Sequence, residues 1–337
     1  MKRLKRTIAI ALAALLMIGT LAACSPSEAK IHNPEDVIVQ DVDVDIIDFA
    51  WEVIPLTATP AMFNFPTPTA PRTTIKANQK CEIDYSNITD GYVMIKYLVN
   101  TDKLLKVRIT GPNSVNYDYN LNRNGNYDVF PLSAGNGNYT ISVFEQIEGS
   151  RYSTVNTVTV NVTLKDEFAP FLRPNQYVNF NANSTVVAKA NELVQGVNNV
   201  PGKISAVFNF VISNITYDRD FAAEVQRGMH KGYVPNVDSV LAKGKGICFD
   251  FAALMTAMLR SQEIPTRLII GYAGTAYHAW LDIWFDGGWI TEVIIFDGRA
   301  WHLMDPTWSS SARTPAQAAE LARIIGEGTD YQARYLY

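Results

Sequence analysis

The sequence predicts two domains, an antiparallel β-sandwich over residues 71–165 followed by an α+β domain over residues 166–337. The chain has 337 residues, which suits two domains of about 100–200 residues each. Short β-branched and aromatic runs separated by turn residues fill the first region. The second region begins with helical patterns and ends with strand patterns, the order expected of an α+β domain. A hydrophobic content of 47% is typical of a globular protein.

The charges are distributed unevenly along the chain. The formal net charge is −4, but four cations lie in the first six residues and no acidic residue precedes Glu28. From Cys24 onward 25 cations stand against 33 acids, a formal charge of −8. Nucleic-acid-binding proteins usually carry a basic patch or domain, so we expect no nucleic-acid partner.

Residues 1–23 have the pattern of a signal peptide, with a basic start, an apolar centre and small residues at the end. The apolar run Ile8–Ala23 has 16 residues, fewer than the roughly 20 that span a bilayer. Leu21–Cys24 resembles the bacterial lipobox, whose cysteine sulfur is acylated and becomes residue one. This resemblance predicts an extracytoplasmic protein that is held at the membrane by lipid on Cys24. An ordinary signal peptide with a coincidental cysteine, or a short anchor helix, is the alternative.

Residues 24–70 predict an acidic, proline-rich tether. Five prolines punctuate a Thr-, Ala- and Asn-rich stretch between residues 55 and 71, a composition typical of an extended spacer. The alternating run Asp41–Asp45 suggests a calcium loop, but it lacks the glycine turn that such a loop needs. We therefore favour an extended strand with its carboxylates on one face, and we expect no bound metal.

The β-sandwich is predicted from strand-like runs that lie between Gly- and Asn-rich turns. These runs are residues 92–99, 104–110, 127–132, 139–147 and 155–164. Asn136–Glu145 resembles the late strands of bacterial immunoglobulin-like and fibronectin-like modules, which serve as spacers or as binding modules. Cys81, at the start of this domain, is interpreted as a small buried hydrophobic residue.

The second domain is predicted to surround one buried helix. Residues 246–260 are apolar nearly all round, the pattern of a helix in a core. Helical spacing also occurs over 184–196, 201–215, 237–242 and 316–326, and strand-like runs cover 267–273, 278–285, 289–296 and 301–308.

Cys248 is the candidate nucleophile. It follows Gly244-Lys245-Gly246 and opens the buried helix, so its sulfur faces the free N–H groups and the positive end of the helix dipole. His278 lies on a predicted strand, where it shares one face with Trp280, and Asp305 follows another strand. A cysteine nucleophile needs an imidazole that shares its proton, and a carboxylate that orients the imidazole. Inert packing of a core cysteine is the alternative.

The segments around these three residues resemble the transglutaminase-like superfamily of papain-like cysteine enzymes. Four motifs show this resemblance. They are Gly-Ile-Cys at 246–248, the segment Arg260–Arg267 that contains Ile264-Pro265, His-Ala-Trp at 278–280, and Asp-Pro-Thr at 305–307. The resemblance covers about residues 200–310, with Asn214–Asp218 as a weaker upstream element. It implies that Cys248 is the nucleophile, His278 the acid and base, and Asp305 the orienting carboxylate.

Other candidate residues are less favoured. His302 precedes Asp305 by three positions and lies on the opposite strand face, and His230 lies in a Gly-rich loop. Asp282 is in phase with His278 but is interpreted as a satisfied strand-end carboxylate. A zinc site formed by the three triad residues lacks the paired Cys or His spacing of such sites.

The resemblance implies an enzyme that acts on peptide or side-chain amides through a thioester. A peptidase or amidase is favoured over a cross-linking enzyme, with a protein or cell-wall peptide as substrate. The Cys248 N–H is expected to be one oxyanion donor, and Tyr217 or Tyr233 could be the second. No organic cofactor is expected, because no phosphate-binding Gly loop follows a strand. The alternative is a non-catalytic surface binding protein that uses this domain as a scaffold.

Overall fold

Two four-stranded antiparallel sheets form the first part of the fold. The computed structural model describes residues 65–285, 287–291, 293–296, 301–304, 306–310 and 331–337, which belong to one compact unit. The first strands are β1 (Ile75–Ala77), β2 (Cys81–Asp84), β3 (Tyr92–Tyr97), β4 (Leu105–Thr110), β5 (Asn116–Leu121), β6 (Asp128–Pro131), β7 (Gly137–Glu148) and β8 (Arg151–Val162). Their sheet orders are β1-β2-β3-β6 and β5-β4-β7-β8.

The strands alternate between buried and outward-facing residues, because successive side chains on a strand point to opposite faces. On β4, Leu105, Val107 and Ile109 are buried. Buried residues of both sheets join one hydrophobic core that also includes the helices described next. All five predicted strand regions are confirmed. β1, β2 and β5 were not predicted, and Cys81 is buried with a free thiol, as expected.

The helices are grouped around one buried helix. They are α1 (Thr185–Leu193), α2 (Val200–Asn214), α3 (Arg219–Gln226), α4 (Val237–Lys243), α5 (Cys248–Ser261) and α6 (Pro306–Ser309). Every residue of α5 from Asp250 to Ser261 is buried, and α1, α2, α4 and α6 all pack against it. The prediction of a central buried helix is confirmed. α3 was not predicted, and none of its residues is buried.

The remaining strands are short β9 (Thr216–Tyr217) and β10 (Lys245–Gly246), then β11 (Thr266–Ala273), β12 (Ala276–Phe285), β13 (Gly288–Thr291), β14 (Val293–Phe296), β15 (Trp301–Met304) and β16 (Tyr331–Leu336). β9 and β10 pair in parallel. One antiparallel sheet has the order β13-β12-β11-β16, and β14 pairs with β15. α5 packs against β11 and β12.

Two strand predictions need correction. The run over 289–296 forms two strands, β13 and β14, that belong to different sheets. The prediction of a strand over 301–308 is wrong beyond Met304, because Pro306 begins α6. Proline suits the first helical position, where its missing N–H costs nothing.

Several predictions fall on residues that the structure does not describe. These are the signal peptide over 1–23, lipidation at Cys24, the tether as far as residue 64, Asp305, and the helix over 316–326. Within the described residues, no helix has the length and apolarity needed to cross a bilayer.

Tyr337 joins the two halves of the described structure. Its ring packs edge-on against Tyr117 and Tyr119 of β5 and against Tyr177, with centroid distances of 5.8, 5.7 and 4.6 Å. Its main-chain oxygen accepts a hydrogen bond from the buried Arg260 guanidinium at 2.6 Å. Tyr337 therefore links the sheet that contains β5 to α5.

Candidate active site

Cys248 is the first residue of α5, as the sequence predicts. Its thiol is free and partly exposed, and Ile247 is the N-cap residue. Only glycine fits at position 246, because a Cβ there would lie 2.5 Å from the Cβ of Asp250 and clash with it. The first turn of a helix presents unpaired N–H groups and the positive dipole end, so the sulfur lies where a negative charge is stabilised.

Asp250 fixes the turn that carries Cys248. Its Oδ2 accepts the Ile247 N–H at 2.8 Å, and its Oδ1 accepts the Tyr233 hydroxyl at 2.6 Å. The carboxyl group is 1% exposed, and burial raises its pKa, although both hydrogen bonds oppose that rise. Burial and the Asp250 hydrogen bond also raise the pKa of Tyr233. Sequence reasoning missed Asp250, although an acid at the third helical position is a known capping signal.

The segment before Cys248 is anchored on β9. Lys245 and Gly246 pair with Thr216 and Tyr217. The Lys245 ammonium lies 2.8 Å from the Asp218 carboxylate, and this hydrogen bond is the main cause of the lowered pKa of Asp218. The positive charge of Lys245, three positions before Cys248, is thus paired with Asp218.

His278 lies on β12 and is 7% exposed. Its ring lies 6.1 Å from that of Trp280 in a stacked arrangement, which confirms that the two share a face. Tyr331 of β16 packs beside both rings. Gly271 is opposite His278 in the sheet, and a Cβ there would lie 2.8 Å from the Trp280 ring.

The two faces of β12 have different neighbours. Ala279, Leu281 and Ile283 belong to the hydrophobic core that contains α5, so His278 and Trp280 lie on the alternate face. Tyr277, which precedes His278, interacts electrostatically with Cys248. Desolvation is the first cause of the raised pKa of Tyr277, and the Tyr335 and Cys248 charges add to it. α5, which begins at Cys248, packs against the strand that carries His278.

Asp305 lies outside the described residues, but its neighbours along the chain are described. β15 ends at Met304, and the buried Pro306 begins α6, which packs against α5. The side chain of His302 also lies outside the described set. Its backbone is part of β15, opposite Ile295.

The remaining candidates occupy structural positions. Asp282 is opposite Arg267 across β11 and β12. Burial lowers the pKa of Arg267, and the Asp282 charge partly restores it. His230 lies 2.7 Å from Glu224 in its loop.

The two tyrosines suggested as oxyanion donors also have partners. The Tyr233 hydroxyl proton is donated to Asp250, and the Tyr217 ring stacks on Phe251 at 6.5 Å. No cluster of three or more His, Cys, Asp or Glu residues suited to a metal ion occurs among the described residues.

Comparison with known proteins identifies the region that holds these residues. Residues 187–306 match the model of the transglutaminase-like superfamily. No curated protein matches the chain significantly. Among solved structures, a candidate cysteine protease from Cytophaga hutchinsonii is 18% identical, with a TM-score of 0.33, and the match covers 70% of this chain and 69% of that protein.

Two further solved structures are similar at lower identity. A candidate protease from Parabacteroides distasonis is 14% identical, with a TM-score of 0.26, over 61% of each chain. Red sea bream transglutaminase is 12% identical, with a TM-score of 0.25, over 64% of this chain and 48% of its own. On the family match, residues 187–306 form a domain of the transglutaminase-like superfamily.

Proposed function

We propose that this protein is a membrane-anchored, extracytoplasmic cysteine enzyme that hydrolyses peptide or side-chain amides. Cys248 is the nucleophile, His278 the general acid and base, and Asp305 the carboxylate that orients His278. The observation that carries the proposal is the partly exposed thiol at the first residue of α5, inside the transglutaminase-like domain.

The reaction proceeds in two steps. The Cys248 thiolate attacks the carbonyl carbon, and the His278 imidazolium gives its proton to the departing amine as the C–N bond breaks. The backbone N–H of Cys248 stabilises the oxyanion. Water then attacks the thioester, His278 accepts its proton, and the products are a carboxylic acid and the regenerated thiolate.

Hydrolysis is favoured over cross-linking by the exposure of the thiol. Cys248 is partly exposed in the described structure, so bulk water can reach a thioester formed on its sulfur. An enzyme that transfers the acyl group to an amine must keep water away from that thioester.

In this proposal, the residues before the catalytic domain direct the protein out of the cytoplasm and hold it at the membrane. Residues 1–23 are removed as a signal peptide, lipid on Cys24 holds the mature chain at the membrane, and residues 24–70 form the tether. Residues 71–165 form an immunoglobulin-like sandwich, a layout that the two antiparallel sheets support. Labelling with radioactive palmitate tests the anchor. Wild type should incorporate label and Cys24→Ala should not, and label retained in Cys24→Ala would contradict it.

The catalytic proposal is tested first by thiol labelling. We expect iodoacetamide to alkylate Cys248 near neutral pH faster than it alkylates a free thiol, because an imidazole stabilises the thiolate. His278→Ala should slow the reaction. His230→Ala is the matched control, because that histidine pairs with Glu224 in a loop and should leave the rate unchanged. Equal rates in wild type and His278→Ala would overturn the role of His278.

Mass spectrometry of treated substrates then tests the reaction type. Wild type and Cys248→Ala are incubated with cell-wall peptides and surface-protein digests. A Cys248-dependent gain of water on peptide cleavage, or exchange of ammonia for water at a side-chain amide, supports hydrolysis. A joined product would show cross-linking instead. No Cys248-dependent change across the panel would favour a non-catalytic binding protein.

A further inference from the structure

A cleft with a mixed polar and apolar lining lies on the side of the molecule where the two β-sheets meet the helical region. Its volume is about 520 Å³, within the range of small-ligand sites. Its walls come from the end of β5 and the residue after it, from β6 and Met94 of β3, from Thr67 and Pro68, from residues 174–180 and from Val234. Both β5 and β6 are edge strands of their sheets.

The lining of this cleft is rich in carboxamides and nearly free of charge. Five Asn or Gln side chains line it, and Asp128 is its one charged residue. A carboxamide offers one donor side and one acceptor side. Those of Asn120, Asn122 and Gln176 are hydrogen-bonded within the protein at both ends, so Asn179 and the Asn175 Nδ2 are the groups that this lining offers to a ligand. With no cation in the lining, the cleft is unsuited to phosphates or other anions.

Asn175 gives the clearest sign of a ligand. It lines the cleft and is 2% exposed. Its Oδ1 accepts the N–H groups of Tyr177 and Val178 at 2.9 and 3.0 Å, which fixes the orientation of the amide. Its Nδ2 finds no acceptor among the residues that the structure describes. A buried donor without an acceptor is costly, and a ligand carbonyl would satisfy it.

Gln176, next to Asn175 in the same wall, shows how a carboxamide in this cleft recognises an extended chain. The Gln176 side chain pairs with the Asn120 backbone, donating Nε2–H to the carbonyl at 2.6 Å and accepting the N–H at 3.3 Å. The Tyr177 hydroxyl donates to the Asp118 carbonyl at 3.1 Å. The edge of β5 is therefore covered, whereas β6 pairs only with β3 among the described strands.

We infer that the cleft binds an extended, uncharged peptide segment alongside β6, with a peptide carbonyl accepting the Asn175 Nδ2–H. Addition of a strand to a free sheet edge is a common mode of peptide recognition. The inference rests on the proposed function only in treating that segment as part of the enzyme's substrate.

Both loops that line the cleft also contact the first turn of α5. The Tyr177 ring packs on Phe249 at 5.4 Å, and Tyr233, beside Val234, binds Asp250. The loops that line the cleft therefore also support the turn that carries Cys248. A substrate bound here would have another part of its chain available to the thiol.

The inference is tested by binding measurements on the full chain in detergent, carrying Cys248→Ala so that no substrate is consumed. The probes are fluorescein-labelled hexapeptides built from Ala, Thr, Asn and Gln and blocked at both ends, and binding is read by fluorescence anisotropy. We expect saturable binding, which weakens when Glu replaces Gln because Asp128 lines the cleft.

Two variants address the cleft and one serves as the control. Asn175→Asp keeps the acceptor for the turn but replaces the unpaired donor, and should weaken binding by about fivefold or more. Asn179→Trp fills the exposed rim of the cleft and should also weaken binding. Asn181→Asp makes the same change in the next turn, where Oδ1 accepts the Asn183 N–H, and should leave binding within twofold.

The outcomes separate this inference from the proposed function. Three outcomes would each overturn the peptide cleft. They are no peptide binding, equal binding by all three variants, and binding of tetra-N-acetylglucosamine in place of peptides. Peptides that bind as expected but are never processed by wild type would refute the proposed function and leave the cleft standing.

Discussion

The hydrogen bond from Tyr233 to Asp250 is expected to stabilise the turn that carries Cys248, and Tyr233→Phe removes it without changing the ring. The bond is 2.6 Å long, and the carboxyl group that accepts it is 1% exposed. Hydrogen bonds to charged groups contribute about 1.5–3 kcal/mol. We therefore expect the free energy of unfolding to fall by about 1.5–3 kcal/mol at pH 7.5.

The loss should depend on pH through the charge of Asp250. Burial raises the pKa of this carboxyl above its ordinary value of 3.8, so its contribution to stability is complete below that value and is lost as the pH rises through the folded-state pKa. The Tyr233 bond favours the carboxylate and limits that loss. When Asp250 is protonated, the bond becomes an ordinary one worth about 0.5–1.5 kcal/mol, so the effect of Tyr233→Phe should shrink toward pH 4.

Urea unfolding of wild type and Tyr233→Phe, followed by tryptophan fluorescence at pH 7.5 and near pH 4, measures both effects. Tyr272→Phe is the matched control, because it removes the hydroxyl of an exposed tyrosine and should change stability by less than about 0.5 kcal/mol. An unchanged stability at pH 7.5, or equal losses at the two pH values, would show that the bond does not act through the charge of Asp250.

Three further predictions follow from buried groups. Arg260→Lys should cost about 3–5 kcal/mol in urea unfolding, because the 0% exposed guanidinium donates to three main-chain carbonyls and an ammonium cannot reach them all; a loss below about 1 kcal/mol would contradict this. At pH 8 iodoacetamide should label Cys248 but not Cys81 in the folded protein, because burial raises the pKa of Cys81 to about 11; mass spectrometry of digests should find both labelled only after unfolding, and native labelling of Cys81 would refute its burial. Gly271→Ala should cost about 1–3 kcal/mol, because the added Cβ would clash with the main-chain carbonyl of Gln332 and with the Trp280 ring. Gly288→Ala, whose Cβ meets nothing within 4 Å, should be nearly neutral, and equal thermal shifts would contradict the packing argument.

Local patterns were sufficient to predict the elements that carry the strongest periodicity. α5 was recognised because its apolar residues continue around the whole helix, and β4 because its buried and outward residues alternate. β5 was missed because Asn and Asp occupy its outward positions and resemble a turn sequence. Only pairing with β4 makes Tyr117 and Tyr119 part of a sheet.

The candidate site was likewise predictable from the sequence only in part. Position along the chain predicted Cys248 at the start of α5 and His278 on the same strand face as Trp280. It could not predict the Asp250–Tyr233 hydrogen bond, which joins a helix to a distant loop. It also could not predict that Lys245 is paired with Asp218, because both partners are brought together by the pairing of β9 with β10.

The contacts of β16 and Tyr337 set the order in which the protein can assemble. The Arg260–Tyr337 hydrogen bond joins residues 77 positions apart, and the Ser133–Leu336 hydrogen bond joins residues 203 positions apart. Contacts this distant form slowly, because long segments must first be brought together. Hairpins such as β7–β8 can form early, since their partners are adjacent in the chain. Arg260 and the edge of β11 must wait for β16, so we expect docking of this strand to be the slow, final step of folding.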